Sequence, residues 1–252
     1  KQAVLIQPGR IELREVPAPQ PAGGEVLLRV RRIGVCGSDV HVWHGRHPYT
    51  PYPVVQGHEF SATVEAVGDG VEGIEPGALV TALPQEICGN CAPCRRGDWH
   101  ICEQLRVRGF QAPGAAQELY VAPATAVVPL GEAMTPEQGA MVEPVAVAVH
   151  AAARAGDPAG RNAVVLGAGP IGNLVAQVLA ADGARVLITD LSEHRLEIAR
   201  ACGVEHTSNA DAEPLADAAG RAFGDEGFEV AFECAAAEPA VNAAIEGIAK
   251  GG

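Results

Sequence analysis

The sequence predicts an α/β protein in two parts, a β-rich first domain followed by a doubly wound parallel sheet. Three observations predict it. Residues 3–120 read as short β-rich runs punctuated by Gly and Pro. From Pro136 onward, Ala-rich helical patterns alternate with short apolar strands. A Gly-x-Gly-x-x-Gly turn then stands where a strand gives way to a helix. With 252 residues, 48% of them hydrophobic, the chain can bury two cores, and the expected domains are 1–150 and 151–252.

In the first domain, Val26-Leu27-Leu28-Arg29-Val30 and Ala62-Thr63-Val64-Glu65-Ala66-Val67 carry β-forming residues at strand length. The Pro/Ala/Gly stretch 17–24 is the loop between strands. In the second domain, strands are expected at 163–166, 185–189 and 229–233, and helices near 170–182, 193–202 and 238–249. Ala249-Lys250-Gly251-Gly252 reads as a helix C-terminus with its glycine stop. In a doubly wound sheet such a stop leads into another strand, so the sheet is expected to be truncated at the C-terminus and the sequence to be a piece of a longer chain.

Charge and hydropathy exclude several function classes. Against 18 Lys and Arg stand 31 Asp and Glu, a net charge of −13 that repels nucleic acid and anionic lipid, and no basic patch offsets it. The most apolar later stretch, 163–188, is broken by Asn173, Gln177, Asp182 and Arg185, too polar for a bilayer span. Lys1-Gln2-Ala3 runs directly into an apolar stretch with no signal-peptide pattern, so a cytoplasmic protein without membrane or nucleic-acid partners is expected. Seven cysteines, an odd number with four inside fifteen residues, point to thiolates and metal rather than disulfides.

Those four, Cys88, Cys91, Cys94 and Cys102, lie in the lobe 84–103 with the spacing Cys-x2-Cys-x2-Cys-x7-Cys. Four thiolates close a tetrahedral shell around zinc at about 2.3 Å and leave no open position, which makes the site structural. Arg95 and Arg96 offset the charge of such a tetrathiolate. A zinc-ribbon nucleic-acid module would use similar cysteines, but it calls for interleaved basic and aromatic residues that are missing here.

A second metal site is expected apart from the first. Gly34-Val35-Cys36-Gly37-Ser38-Asp39-Val40-His41 supplies a thiolate, and Gly57-His58-Glu59-Phe60 an imidazole and a carboxylate. Such a donor set binds zinc with a place left for a substrate oxygen. Zinc there would lower the pKa of an alcohol near neutral pH, and Ser38 would take the proton and pass it through His41 to solvent.

Asn162-Ala163-Val164-Val165-Leu166 is the strand that enters Gly167-Ala168-Gly169-Pro170-Ile171-Gly172. The glycines permit a tight turn and close approach to a pyrophosphate, which the following helix N-terminus attracts. Arg185-Val186-Leu187-Ile188-Thr189 then ends at Asp190, placed to bind ribose hydroxyls and repel a 2′-phosphate, which predicts NAD. Arg195, five residues on, is expected at the adenosine end.

On these residues the chain resembles the zinc-containing medium-chain dehydrogenase/reductase family, and within it the sorbitol dehydrogenase-like polyol and butanediol dehydrogenases. The resemblance implies a GroES-like catalytic domain, a structural-zinc lobe, a Rossmann domain and a homodimer or homotetramer, with the active site in the cleft between domains. It implies that Cys36 and His58 are catalytic zinc ligands and that Gly167, Gly169, Pro170, Ile171 and Gly172 line the dinucleotide. In Met141-Val142-Glu143-Pro144, Glu143 matches the family position directed at the zinc. Glu59, Glu143 or both then complete the ligand set. Two features depart from the family pattern: Gly77-Ala78-Leu79-Val80 lacks its acid, and Val42 stands where some sorbitol dehydrogenases carry an aromatic. The implied activity is hydride transfer between NAD and a polyol, diol or other secondary alcohol. The alternatives are a threonine 3-dehydrogenase-like activity and a non-catalytic, zinc-stabilised nucleotide-binding protein. Cys202 and Cys234 are expected to be buried and structural. His44, His47 and His100 receive no role.

Overall fold

A computed structural model describes residues 1–252, which divide into two compact units, Lys1–Glu143 and Pro144–Gly252.

The first unit is built on antiparallel strands. In chain order its elements are β1 (Gln2–Gln7), β2 (Arg10–Arg14), β3 (Glu25–Ile33), α1 (Gly37–Trp43), β4 (Val54–Val55), β5 (Phe60–Val67) and β6 (Leu79–Ala82). There follow β7 (Gln85–Glu86), α2 (Ala92–Arg96), β8 (Arg106–Val107), β9 (Leu119–Pro123), β10 (Val127–Pro129), α3 (Pro136–Ala140) and the start of α4 (Val142–Arg154). A five-stranded sheet in the order β10-β6-β5-β3-β9 is its frame, with a three-stranded sheet β2-β1-β4 beside it. The core of the frame holds Val26, Leu28, Phe60, Ala62, Val64, Val80 and Tyr120. Phe60 and Tyr120 meet edge to face at 5.5 Å. The two-stranded ribbon β7–β8, with Glu86 opposite Arg106, closes the loop that carries the four clustered cysteines.

The second unit alternates strands and helices: β11 (Asn162–Leu166), α5 (Pro170–Ala181), β12 (Arg185–Asp190), α6 (Glu193–Ala201), β13 (His206–Asn209), α7 (Leu215–Phe223), β14 (Val230–Glu233) and α8 (Glu238–Gly247). Its parallel sheet runs β13-β12-β11-β14, the 3-2-1-4 order of a mononucleotide-binding half. All five residues of β11 are buried, because α5 and α6 cover one face of the sheet and α7 and α8 the other.

Three details differ from the sequence reading. β13 and α7 were not expected; β13 is the polar run His-Thr-Ser-Asn, which carries no apolar alternation to announce it. The last helix stops at Gly247 rather than 249, and Ile248 already bridges Phe228 in parallel, so extended chain begins before the glycines. Cys202 caps α6 exposed to solvent, and Cys234 is only half-buried. No helix is long and apolar enough to cross a membrane.

Candidate metal and dinucleotide sites

Cys36 sits where β3 has ended and α1 begins. It is the N-cap residue, and its N–H donates to Asp39 Oδ2 at 3.0 Å, which fixes the turn. His58 and Glu59 directly precede β5, in the core of the same unit, and both are buried. Glu59 can enter because residue 34 is glycine: a Cβ there would lie 2.4 Å from Glu59 Oε2. One ligand atom each from Cys36, His58 and Glu59 falls within 4.8 Å of the others. Glu143, in the first turn of α4, lies outside that trio but is close enough to interact electrically with His58 and Glu59. Burial raises its pKa and so does Glu59, against the pull of His58.

Burial opposes a charged His58, but its hydrogen bond to Cys36 and the charges of Asp39, Cys36 and Glu143 outweigh that, and its pKa is raised. Its Nδ1 is buried and has no hydrogen-bond partner; the nearest carboxylate oxygen, Asp39 Oδ1, is 3.8 Å away. A buried imidazole, a thiol and a carboxylate converging on one point fit a divalent transition metal such as zinc. Ser38 and His41 lie three residues apart on α1, hence on one face, Ser38 half-buried and His41 exposed. No hydrogen bond joins them. Asp39 is a residue the sequence reading quoted without using, although its position three after Cys36 is the spacing of a helix-capping box.

The cysteine lobe gives a quantitative test of fit. All seven cysteines are free. Sγ of Cys88 lies 3.6 Å from that of Cys102 and 4.0 Å from that of Cys94, and the Cys91–Cys102 separation is 4.0 Å. A tetrahedron with metal–sulfur bonds of about 2.3 Å has edges of about 3.8 Å, whereas a disulfide would need about 2.05 Å. Backbone N–H groups of Cys88 and Gln104 point at Cys102 Sγ, and that of Cys91 at Cys88 Sγ. Similar donors from Glu103 and Cys94 lower the Cys91 pKa to about 6, which favours the thiolate a metal requires. Burial and the adjacent thiols push Cys94 up to about 12. Besides the four cysteines the lobe core contains only Leu105, too little apolar surface to hold it without a metal.

In the second unit β11 runs into the glycine turn. Gly167 has φ +100°, a left-handed conformation reserved for glycine. Gly172 is required by close approach, since a Cβ there would lie 1.9 Å from Gly167 O. Gly169, the N-cap of α5, is different: its φ is ordinary and nothing lies within 4 Å of its Cβ position. Space kept open in front of a helix N-terminus fits a phosphate group. Pro170 begins α5, and Ile171 packs against the core.

A cavity of about 620 Å³ opens beside this turn, lined by Gly167, Thr189, Asp190, Arg195, Ser208 and Cys234 among others. Asp190 accepts the N–H groups of Ala168 at 2.7 Å and Ser192 at 2.8 Å, and Arg195 Nη1 lies 3.5 Å from its Oδ2. Burial would raise its pKa, but these donors lower it, so the group is a carboxylate at neutral pH.

Comparison with known proteins places the chain. Residues 22–132 match the model of the alcohol dehydrogenase GroES-like domain, and residues 170–252 that of the zinc-binding dehydrogenase domain. The L-threonine 3-dehydrogenase of Rhizobium johnstonii is 37% identical over 244 residues, 95% of this chain and 70% of that protein. A protein of Sinorhizobium meliloti crystallised with NADP superposes with a TM-score of 0.93 at 31% identity, covering 100% of this chain and 74% of that one. Galactitol-1-phosphate dehydrogenase of Escherichia coli gives 0.89 at 30% identity, covering 98% and 72%. The chain belongs to the zinc-containing medium-chain dehydrogenase/reductase family.

Proposed function

We propose that the protein is a zinc-dependent dehydrogenase that transfers hydride from a secondary alcohol, a polyol or diol, to NAD. The observation that carries this reading is the convergence of Cys36, His58 and Glu59 within 4.8 Å in the catalytic-type domain. Zinc, when bound, supplies Lewis acidity that lowers the pKa of an alcohol. Cys36, His58 and Glu59 would hold it, with Glu143 as the neighbouring acid that stands in reserve. Ser38 Oγ takes the alcohol proton, and His41 on the exposed face of α1 delivers it to water. Cys88, Cys91, Cys94 and Cys102 hold a second, structural zinc.

Gly167, Gly169, Pro170, Ile171 and Gly172 admit the pyrophosphate, and Asp190 accepts hydrogen bonds from the ribose hydroxyls. The ionised Asp190 repels a 2′-phosphate, which favours NAD although the Sinorhizobium relative was crystallised with NADP. The working protein is a homo-oligomer with a GroES-like domain at 1–150 and a Rossmann domain from 151.

A second reading, oxidation of the 3-hydroxyl of threonine, is favoured by the Rhizobium relative. Steady-state assays of the purified protein with NAD or NADP against polyols, vicinal diols and threonine separate the two. The expected result is the highest kcat/KM for a polyol or diol with NAD. A dominant preference for threonine overturns the polyol assignment, and no turnover of any alcohol by zinc-loaded protein overturns the catalytic one.

A further inference from the structure

A ribose held by Asp190 carries its base one glycosidic bond away, so the base meets whatever stands beside the end of β12. That neighbourhood is the loop 210–213 between β13 and α7. It is tied to the strand end at two points: Ala210 N–H donates to Asp190 O at 3.1 Å, and Asn209 Nδ2 donates to Leu191 O at 3.3 Å. The N–H groups of Ala212 and Glu213 both donate to Asn209 O, at 2.9 and 3.2 Å, which closes the loop into a tight turn. Leu191, Ala210, Pro214 and Leu215 contribute apolar surface to the cavity here. Apolar walls accept the faces of any purine and do not tell one from another.

Telling them apart takes a polar group held in one place. Glu213 lines the same cavity, and its Oε1 is anchored twice: Ser208 Oγ donates to it at 2.8 Å, and Arg221 of α7 donates to it through Nη2. Ser208 stands opposite Thr189 in the β12–β13 register and is buried, which fixes that anchor. Both bonds fall on Oε1, leaving Oε2 as an acceptor without a protein partner. The bond to Arg221, helped by Ser208, holds the Glu213 pKa below the usual carboxylate range, so at neutral pH the group accepts and never donates. Such a group suits the 6-amino group of adenine, a donor, and opposes a 6-oxo group, an acceptor. Asp211 also lines the cavity, but it is exposed and unanchored.

We propose that Glu213 is a specificity-determining residue that reads the 6-amino group of the adenine base, with Ser208 and Arg221 holding its carboxylate in place. The proposal rests on the reading of this cavity as the adenosine end of a dinucleotide site. The two carboxylates then have separate tasks: Asp190 selects the sugar with free hydroxyls, and Glu213 selects the base.

The test is a fluorescence titration of NADH against its deamino analogue, reduced nicotinamide hypoxanthine dinucleotide. The two ligands differ only in the 6-substituent of the base and the N1 proton that goes with it, so the ratio of their Kd values cancels contacts to sugar, pyrophosphate and nicotinamide. Wild type is expected to bind NADH about tenfold more tightly, the worth of one hydrogen bond to a charged group at a half-exposed site. Glu213→Gln, whose amide both accepts and donates, is expected to bring the ratio near one, chiefly by tightening the analogue. Ser208→Ala removes one anchor and keeps the carboxylate, so it lowers the ratio by a smaller factor, and Asp211→Asn leaves the ratio unchanged. A wild-type ratio at or below one, a ratio unaltered in Glu213→Gln, or a ratio that collapses in Asp211→Asn overturns the proposal alone. Should Glu213→Gln fail to fold, an unaltered ratio in Ser208→Ala does the same. A wild-type chain that binds neither dinucleotide overturns the dinucleotide reading and the proposal together.

Discussion

Two glycines of one turn separate what the fold needs from what a ligand needs. A methyl at Gly172 would sit 1.9 Å from Gly167 O and 3.2 Å from Cys234 Cβ, and the first of these neighbours is backbone that cannot rotate away. The N-terminus of α5 must then move off the end of β11 by about 1 Å, a form of overpacking that costs roughly 1–3 kcal/mol. At Gly169 φ is −64° and the Cβ position is empty, so alanine fits; the gain of about 0.4–1 kcal/mol from a less flexible unfolded chain is offset by alanine being a poorer N-cap than glycine, which leaves stability close to wild type. The Gly169 methyl would stand where the pyrophosphate is read to approach, whereas that of Gly172 would press into the fold and displace the α5 N-terminus. Gly172→Ala should therefore lower the melting temperature by a few degrees and weaken NADH binding. Gly169→Ala should weaken NADH binding on the order of a hundredfold with a melting temperature near that of wild type. Calorimetry and titration of NADH fluorescence measure the two effects on the same samples. NADH affinity equal to wild type in Gly169→Ala would refute the argument that its open space belongs to a phosphate.

Two further outcomes follow from the cysteines and from Asp190. Cys88→Ser leaves a lobe whose only other core side chain is Leu105, and because metal binding there is folding free energy, the variant should lose the lobe's zinc and become protease-sensitive between residues 88 and 102; a Cys88→Ser protein as resistant as wild type would contradict this. Asp190 has a lowered pKa, so its ionised form contributes stability that is present above the unfolded carboxylate pKa of about 3.9 and is lost as pH falls through the lower folded value. The difference in melting temperature between wild type and Asp190→Asn should hold constant from pH 7 to about 5 and shrink only on further acidification. A gap that widens in acid would show the sign of the shift to be wrong.

The nucleotide half was legible because Asn162-to-Gly172 answers local demands: four apolar strand positions after a buried asparagine, then glycines, of which Gly167 and Gly172 stand where backbone geometry excludes a side chain. The cysteine lobe was legible for a similar reason, since its spacing is set by one small polyhedron. The α1 helix was not read, because seven residues capped by a cysteine carry little periodicity, although Asp39 in its first turn is a usable signal. Phe110 was invisible. Its neighbours His47 and His58 are 63 and 52 residues away in sequence, and no local pattern marks a contact between side chains so far apart in the chain. Gly34 belongs to the same class, required only because Glu59 comes back against it. Cys202 was misjudged because a cysteine at a helix end takes its burial from how the helix stops, and α6 stops at the surface.

The measurement that bears most directly on the account is zinc content per chain in wild type and in Cys36→Ser, by elemental analysis of the purified, folded proteins. Two zincs in wild type and one in the variant, with the variant's melting temperature close to wild type and its turnover abolished, are the result expected of an open three-ligand site separate from the cysteine lobe. A single zinc in both proteins would contradict it, and the trio of Cys36, His58 and Glu59 would then hold no metal.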